Sequence, residues 1–254
     1  MNISLIGSGN VATQLGMAFV KAGHRIVEIT ARNYEAGISL ARNCNARYND
    51  NLKKLHDADV YIIAVKDDAI SDVATQMEVE GKVVAHTSGL KPIFLLTDAS
   101  STHGVFYPLQ TMSRQQPVNF DQVPIIIDGN DDVTAGILIQ LARSISQKVY
   151  RAHEQQRQWI HLAAVFANNF TNHFYAIAEK LLNEQGISLE ILYPLIAQTT
   201  ENIRHHSPAL LQTGPAVRGD FRTIDKHLQM LQDKEKLQAL YRVVTESILL
   251  SHNT

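Results

Sequence analysis

The chain has 254 residues, of which 45% are hydrophobic and 19% charged, and its net charge is −2 at pH 7. This composition excludes an intrinsically disordered chain, and the length suffices for two globular domains. The slightly acidic balance leaves no broad basic surface for a phosphodiester backbone. We therefore expect no nucleic-acid partner.

Neither a targeting segment nor a membrane span is indicated. Met1 leads directly into an apolar segment without a preceding cationic stretch. No apolar run reaches the ~18 residues that a membrane span needs. The single cysteine, Cys44, can form no internal disulfide, which is typical of a reducing compartment and an inert thiol. We expect a cytoplasmic protein with no membrane partner.

The first half of the chain alternates short apolar runs with amphipathic stretches. The runs predict strands at Ile3–Ile6, Arg25–Thr30, Val60–Val65, Lys82–His86, Thr102–Phe106, Pro124–Asp128 and Lys148–Arg151. The stretches between them predict helices at Val11–Ala22, Tyr34–Asn43, Asp68–Met77 and from Asn130 to about Ser144. Such alternation predicts a parallel sheet with right-handed crossover connections.

The pattern changes after residue 152. From His153 onward helical periodicity dominates, with breaks at Gly186 and Pro208. We therefore predict two domains, an α/β domain over residues 1–152 and an all-helical domain over residues 153–254. The junction is not enriched in Gly or Ser, which favours a helix or a tight turn over a loose linker.

The segment GSGNVA follows the first predicted strand and opens the first predicted helix. Its G-x-G-x-x-A spacing gives one glycine for a tight turn, one for close approach to a pyrophosphate, and an alanine for helix packing. The free N–H groups of the helix start suit the phosphates. The alternative is a sheet that keeps the turn without the ligand. The predicted cofactor contacts here are Gly7, Ser8, Gly9, Asn10 and Val11.

The end of the second predicted strand bears on the choice of cofactor. An NAD site usually has an acidic residue about 20 residues beyond the glycines, but Glu28 comes early and falls within the strand. Arg32 follows the strand and suits the 2′-phosphate of NADP, with a solvated surface arginine as the alternative. The sequence favours NADP over NAD. Val65 and Lys66 are predicted to pass the nicotinamide side.

Polar residues follow the next two strands at the edge where ligands bind in parallel sheets. Asp67 or Asp68 is predicted to cap the helix that comes next. HTSG then brings His86, Thr87 and Ser88 towards the reacting centre. His86 is either a proton donor near neutral pH or a structural histidine.

Six segments, GSGNVA, VKDDAI, HTSG, YPLQT, HLAAVFANNF and TGPAVRGD, occur in this order along nearly the whole chain. With them the chain resembles a family of NADP oxidoreductases that join a Rossmann-like domain to a helical C-terminal domain of unknown function. More distantly it is similar to prephenate dehydrogenase, pyrroline-5-carboxylate reductase and the 6-phosphogluconate dehydrogenase group. The resemblance implies a fold and a cofactor type, but no substrate.

Two positions can be compared with these enzymes. Ser88 falls where the hydroxy-acid dehydrogenase group has a substrate-binding serine or threonine. Tyr107 heads YPLQT, where much of the resembled family has a histidine before the proline. Tyrosine, with an ordinary pKa of about 10, is a poorer proton shuttle at neutral pH. This departure puts hydride chemistry in question, and His103 is a candidate replacement.

A polar line is predicted on the first helix of the second domain. At roughly 100° per residue, His161, Asn168 and Asn172 fall together, and residues 161–178 contain no Lys, Glu or Asp. Uncharged polar groups beside a large apolar face suit a crevice for a polar substrate. The alternatives are a solvated face and a buried subunit interface. The related dehydrogenases have a lysine–asparagine pair on the corresponding helix. This chain departs from them, because it has histidine and asparagine instead.

The segment TGPAVRGD is a loop by composition. Arg218 suits bidentate binding of a carboxylate or phosphate, and an Arg218–Asp220 or interdomain ion pair is the alternative. Asp220 or Thr223 is predicted to cap the following helix. We identify no acidic or thiol residue at metal-ligand spacing from His205 and His206, so we predict no metal site.

These features predict a Rossmann-like domain followed by a helical domain like that of the 6-phosphogluconate dehydrogenase group. The predicted function is an NADP(H)-dependent oxidoreductase for a small carboxylate-bearing substrate in the interdomain cleft, working as a homodimer through the helical domain. The rivals are a dinucleotide sensor without turnover and a dimeric scaffold. Ser88 and Asn168 would orient the substrate, Arg218 would grip its carboxylate, and His86 or His161 would move the proton.

Overall fold

The computed structural model describes residues 1–252. The chain divides into two compact units, Met1–His173 and Phe174–Thr254. The first unit contains one sheet, and in its described part the second unit consists of helices and the loops that join them.

The sheet has eight strands in the order β3-β2-β1-β4-β5-β6-β7-β8. Their bounds are β1 Asn2–Ile6, β2 Arg25–Thr30, β3 Arg47–Asn49, β4 Val60–Ile63, β5 Val83–His86, β6 His103–Pro108, β7 Ile125–Gly129 and β8 Val149–Arg151. Every neighbouring pair is parallel except β6 and β7, which are antiparallel. The predicted Rossmann-like α/β architecture is confirmed.

The helices are α1 Asn10–Lys21, α2 Tyr34–Asn43, α3 Ile70–Ala74, α4 Asp132–Arg143, α5 Glu154–Ala164, α6 Thr171–Asn183, α7 Tyr193–Asn202, α8 Pro208–Leu211, α9 Phe221–Met230 and α10 Glu235–His252. A π-helical segment, Val165–Phe170, joins α5 to α6. Within residues 1–252, no helix combines the length and the apolar character that crossing a membrane requires.

Two details of the sheet differ from the sequence prediction. Strand β3 was not predicted, because its three residues carry no repeating pattern. Strand β7 runs antiparallel to β6, whereas the sequence predicted a parallel sheet. The connection between them contains only the short 3-10 turn Phe120–Gln122, and a parallel crossover normally needs a helix.

The carboxyl ends of four central strands are aligned. Ile6 of β1 pairs with Thr30 of β2 and with Ile63 of β4, and Ile63 pairs with His86 of β5. The strand order reverses between β1 and β4, which makes this edge a topological switch point. The residues that follow these strands therefore emerge side by side, at the edge where α/β sheets bind ligands.

Apolar side chains fill both faces of the sheet. Leu5 on β1 packs in one cluster with Leu15 and Phe19 of α1, whereas Ile6 joins a second cluster with Ile70 of α3. All five are at most 2% exposed. Fully burying each such side chain contributes roughly 1.5–3 kcal/mol, so helices on both faces hold the sheet edge in place.

The end of the sheet lies near the boundary that the sequence predicted at residue 152. Strand β8 ends at Arg151, and His153 begins α5 with a reciprocal capping box to Gln156. Helix α5 nevertheless belongs to the first compact unit, which extends to His173. The functional boundary between the two domains therefore stays a prediction.

The second unit is held by its own polar and apolar contacts. The carboxylate of Asp220 caps α9 by accepting from the Thr223 N–H at 3.1 Å, as one of the two predicted caps requires. Ile224 and Leu228 of the same helix are buried. Many other apolar side chains of this unit are exposed, including Leu210 at 84%.

Candidate active site

The glycine turn after β1 has the backbone that the motif predicted. Gly7 has φ +121°, and a Cβ there would collide with the carbonyl oxygen of Ala64. Gly9 is the N-cap of α1, and a Cβ built on it would meet nothing within 4 Å. The turn is thus closely packed at Gly7 and has open space beside Gly9. An open space over the N-terminus of a helix fits a phosphate group, because free N–H groups and the helix dipole favour an anion.

Val11, Val65 and Lys66 border this turn in different ways. Val11 is half-buried against the core of the first unit. The Cγ1 of Val65 would lie 3.4 Å from a Cβ at Gly7, which places its side chain beside the turn. Lys66 is exposed at the N-cap of the 3-10 turn Asp67–Ala69. Among the residues that the structure describes, the Lys66 ammonium forms no hydrogen bond or ion pair.

A segment between β6 and β7 contacts the turn, although no ligand contact was predicted for it. We call residues 109–119 the covering segment. The amide of Asn10 donates to the carbonyl of Met112 at 2.9 Å. The guanidinium of Arg114 donates to the carbonyl of Ser8, in the middle of the turn. Both contacts join residues more than a hundred positions apart, so no local pattern could have revealed them.

Gln14 of α1 anchors the covering segment from below. Its side chain is 6% exposed. Its amide nitrogen donates to the carbonyl of Gln116 at 3.0 Å, and its amide oxygen accepts from the N–H of Val118 at 3.1 Å. A glutamine on the buried face of an amphipathic helix needs such partners, and this was the sequence signal that could have predicted the segment.

Glu28 and Arg32, near the end of β2, are the two residues considered for binding the ribose or its 2′-phosphate, and they differ in availability. The Glu28 carboxylate is fully buried and accepts from Asn49 at 2.9 Å and from His56 Nδ1 at 2.6 Å. This confirms its predicted place within the strand and leaves it unavailable to a ribose. Arg32 lies beyond the strand with an exposed side chain. Within residues 1–252 the Arg32 guanidinium makes no hydrogen bond or ion pair in this structure, so it is free to bind an anion.

The predicted caps at Asp67 and Asp68 are wrong. The 3-10 turn that follows β4 has no side-chain cap. Asp67 instead accepts from the Ser88 hydroxyl at 2.7 Å, and Asp68 pairs with Lys91 at 3.2 Å. The caps fail because β4 and β5 end side by side, which brings Ser88 within reach of Asp67 from the neighbouring strand.

Ser88 is fully engaged in its own loop. Besides donating to Asp67, its hydroxyl oxygen accepts from the N–H groups of Leu90 and Lys91, each at 3.1 Å. A serine hydroxyl has one donor and two acceptor positions, and all three are occupied. Ser88 can therefore bind a substrate only by exchanging one of these bonds.

His86 is a buried, neutral histidine. It is 0% exposed, and its Nδ1 accepts from the N–H of Ser88 at 3.1 Å. Burial, with the Arg157 guanidinium as a second cause, lowers the pKa of His86 to about 4. Its Nε2 has no hydrogen-bond partner among the described residues. These features support the structural interpretation of His86 over that of a proton donor near neutral pH.

Tyr107 and His161 form a pair at the end of β6. The Tyr107 hydroxyl lies 3.0 Å from Nδ1 of His161 on α5. Gly89 closes the same corner, since a Cβ there would approach the Tyr107 ring to 2.8 Å and His161 Nδ1 to 2.9 Å. Burial, and secondarily the Asp67 carboxylate, raise the pKa of Tyr107. The tyrosine is therefore protonated at neutral pH and has a hydrogen-bonding histidine beside it.

Arg157 fixes the helix that carries His161. It is 0% exposed, and it pairs with Asp128 of β7 at 3.2 Å. A second nitrogen of the guanidinium donates to the carbonyl of Lys91 at 2.7 Å. Arg157 thus ties α5 to the sheet and to the loop after Ser88. An arginine amid polar residues reads as a surface residue in the sequence, so this role was not predicted.

The predicted polar line along one α-helical face is interrupted. Residues Val165–Phe170 are π-helical, and a π-helical residue rotates the chain less than an α-helical one. The phase that aligned His161 with Asn168 therefore does not hold. Asn168 is exposed, and its amide donates to the hydroxyl of Thr111 in the covering segment at 2.8 Å. His103, the suggested replacement for the family histidine, is buried and bonded to Ser100.

The remaining candidates lie in the second unit. Arg218 is exposed and forms no ion pair within 4 Å among the described residues. Its charge is a minor cause of the lowered pKa of Asp220, after the hydrogen bonds from Thr223. His205 has an acidic neighbour after all, since Glu201 lies 3.3 Å away one helical turn earlier. Residues 1–252 contain no group of three or more metal-ligating side chains.

Cys44 is buried, and burial raises the pKa of its thiol to about 11. Thiolates rather than thiols are reactive. The thiol is therefore inert, as the sequence suggested.

Two family models match this chain. Residues 2–88 match "NADP oxidoreductase coenzyme F420-dependent", and residues 123–248 match a domain of unknown function, DUF2520. Among proteins with curated functions, none matches the chain.

Several solved structures are similar over their whole length. A "putative NADP oxidoreductase" from Bacteroides fragilis is 38% identical, with 98% of this chain and 97% of that chain covered and a TM-score of 0.90. 1-Pyrroline-5-carboxylate reductase from Streptococcus pyogenes is 16% identical, with 100% and 99% covered and a TM-score of 0.67. A reductive aminase from Aspergillus terreus in complex with NADPH is 12% identical, with 97% and 93% covered and a TM-score of 0.76. The last two show a shared fold.

Proposed function

The chain belongs to the NADP oxidoreductase family of its Bacteroides fragilis relative, and on this premise we propose that it is an NADP(H)-dependent reductase or dehydrogenase for a small carboxylate-bearing substrate. One observation carries the proposal. The turn is closely packed at Gly7 and has open space beside Gly9, and it lies at the point where the strand order reverses. This is the backbone that a dinucleotide pyrophosphate requires.

The residues at this edge fit the cofactor. The N–H groups from Ser8 to Val11 would hold the pyrophosphate, and the free guanidinium of Arg32 would bind the 2′-phosphate. Val65 and Lys66 would line the nicotinamide side. When bound, reduced NADP supplies the hydride. The protein supplies position and a proton.

Tyr107 is our candidate for the proton donor, with His161 as its partner. In the reduction of a C=O or C=N bond, the carbon gains a hydride and the heteroatom gains a proton. Tyr107 is protonated at neutral pH, and the imidazole 3.0 Å away can return a proton to it. His86 is buried and already bonded through Nδ1, which makes it the weaker candidate for this step.

Binding of the substrate is assigned to polar groups with spare capacity. Arg218 has an exposed guanidinium that can form a bidentate pair with a carboxylate. Asn168 is exposed, and one of its amide N–H bonds is used by Thr111. Ser88 would contribute by exchanging its bond to Asp67. Their assembly around one substrate between the two domains stays a prediction.

The experiment is an NADPH oxidation assay with 2-oxo acids, the same acids with ammonium, and cyclic imino acids. We expect oxidation with a carboxylate-bearing compound and little with its carboxamide, because the carboxylate is the group that Arg218 recognises. In Tyr107→Phe we expect kcat to fall by about 100-fold or more, the usual size of a lost general acid. Equal rates with acids and amides would overturn the substrate class.

A dinucleotide sensor without turnover is the second candidate. Its support is that Ser88 has all three hydrogen-bond positions occupied and that Tyr107 and His161 bond each other. A sensor can fill the space beside the nicotinamide with such contacts. Tight NADPH binding without oxidation of any compound in the assay would favour this candidate.

A homodimer and a cytoplasmic location are also proposals. Leu162, Phe166, Phe170 and Phe174 are each more than 40% exposed. A large exposed apolar surface is typical of an interface. Sedimentation at micromolar concentration tests the dimer, and a monomer there would contradict it. Fractionation of cells that contain the protein tests the location.

A further inference from the structure

We propose that the covering segment is a clamp on the cofactor and that Arg114 binds the pyrophosphate of the bound dinucleotide. This inference rests on the proposed cofactor and adds to it a residue outside the glycine turn. It also assigns a ligand to a loop that neither the motif nor the family models explain.

The position of Arg114 carries the first step. Its guanidinium donates to the carbonyl of Ser8, between the two glycines of the turn. The side chain is exposed, and among residues 1–252 no carboxylate pairs with it. A guanidinium has five N–H donors, and this contact uses one nitrogen. The rest of the fork is available at the place where the turn is open above Gly9.

Charge carries the second step. The turn segment GSGNVA contains no cationic side chain. The turn alone therefore offers a pyrophosphate N–H groups and a partial helix charge, whereas Arg114 adds a full positive charge. A guanidinium–phosphate pair joins two opposite charges and can be bidentate, whereas in the bond to the Ser8 carbonyl only the donor is charged. The remaining donors of Arg114 can therefore bind a phosphate more strongly than the guanidinium binds the Ser8 carbonyl.

The anchoring of the segment carries the third step. Met112 is held by Asn10 at 2.9 Å, and Gln116 and Val118 are held by Gln14 at 3.0 and 3.1 Å. Arg114 lies between these fixed points. Its backbone is thus confined on both sides, which lowers the entropy that must be lost when its side chain binds.

The test is a fluorescence titration of Arg114→Met with NADPH and NADH. The control is Arg143→Met, which removes an exposed arginine at the end of α4. A pyrophosphate contact is common to both dinucleotides. We therefore expect Arg114→Met to weaken both by about tenfold or more, the usual effect of losing a hydrogen bond to a charged group. Arg114→Lys restores part of the affinity, because it keeps the charge but lacks the fork.

A second readout is hydrogen exchange of residues 109–119. NADPH should slow it in the unaltered chain and much less in Arg114→Met. Dissociation constants of Arg114→Met within about twofold of the control for both cofactors would overturn the clamp and leave the proposed cofactor intact. If the unaltered chain binds neither dinucleotide, the cofactor proposal fails and the clamp fails with it.

Discussion

Two regions of the molecule are built on different principles. One is the sheet edge around Gly7 and Gly9, which we call the cofactor edge, and the other is the Tyr107–His161 pair, which we call the corner. At the edge, the ends of β1, β2 and β4 present backbone, and the decisive residues are glycines that must not carry a side chain. At the corner, β6 and α5 bring together side chains that are 54 positions apart in the sequence. The first region is specified locally and the second by packing. Mutations at the cofactor edge should therefore affect nearby backbone, whereas mutations at the corner should act through the position of α5.

The largest effect should come from Gly7→Ala, which separates folding from binding at the cofactor edge. A Cβ at Gly7 meets the Ala64 carbonyl and stands at φ +121°, so we expect a loss on the order of 3 kcal/mol in the free energy of unfolding. The matched variant Gly9→Ala meets nothing and should stay within about 1 kcal/mol. Gly9→Ala should still bind NADPH more weakly, because its methyl group points into the open space. Urea unfolding and cofactor titration measure both, and equal stability of the two variants would contradict the geometry.

The Tyr107–His161 corner is tested by removing the ion pair between Arg157 and Asp128, which ties α5 to the sheet. Arg157→Met leaves Asp128, whose side chain is 13% exposed, without its partner, and losing a hydrogen bond to a charged group costs roughly 1.5–3 kcal/mol. The control Arg151→Met breaks the exposed pair with Asp132, whose value is at most about 1 kcal/mol. The measurement is urea unfolding of both variants. Similar losses would show that Arg157 does not hold α5.

Acid should destabilise the protein through His86. Its folded pKa of about 4 lies below the ordinary value of 6.5, so the unfolded chain binds the proton first. The contribution is fully present above pH 6.5 and is lost as the pH falls towards 4, by an amount on the order of 3 kcal/mol. His86→Gln should flatten this part of the profile. An unchanged acid profile in that variant would contradict the burial of His86.

The smallest effect concerns the hydrogen bond between Tyr107 and His161 itself. A double-mutant cycle of Tyr107→Phe and His161→Phe should give a coupling energy of about 1 kcal/mol. Urea unfolding of the four chains provides it. Strictly additive losses would show that the two residues do not bond in solution.

The sequence could predict the glycine turn after β1 because its signals are local. GSGNVA and the strand before it lie within the first 12 residues, and the geometry of the turn follows from steric rules for glycine. It also placed His161 and Asn168 in the helical region, but it assumed an uninterrupted α-helix. Periodicity at about 100° per residue assumes an α-helix throughout and does not detect the π-helical segment.

The contacts that the sequence missed are long-range. Arg114 with Ser8, Arg157 with Asp128, and Ser88 with Asp67 each join separate elements. Each residue has an ordinary local explanation, as a surface arginine or a helix cap. The partner of each residue depends on which elements the fold brings together, so these contacts could be identified only from the structure.

The central claim is that the cofactor edge binds NADP through Arg32, and a fluorescence titration with NADPH and NADH tests it most directly. We predict tighter binding of NADPH than of NADH. Arg32→Ala should weaken NADPH by about tenfold or more and leave NADH within about twofold, because only NADPH carries the 2′-phosphate. Tighter binding of NADH, or an NADPH affinity that Arg32→Ala does not change, would contradict the account.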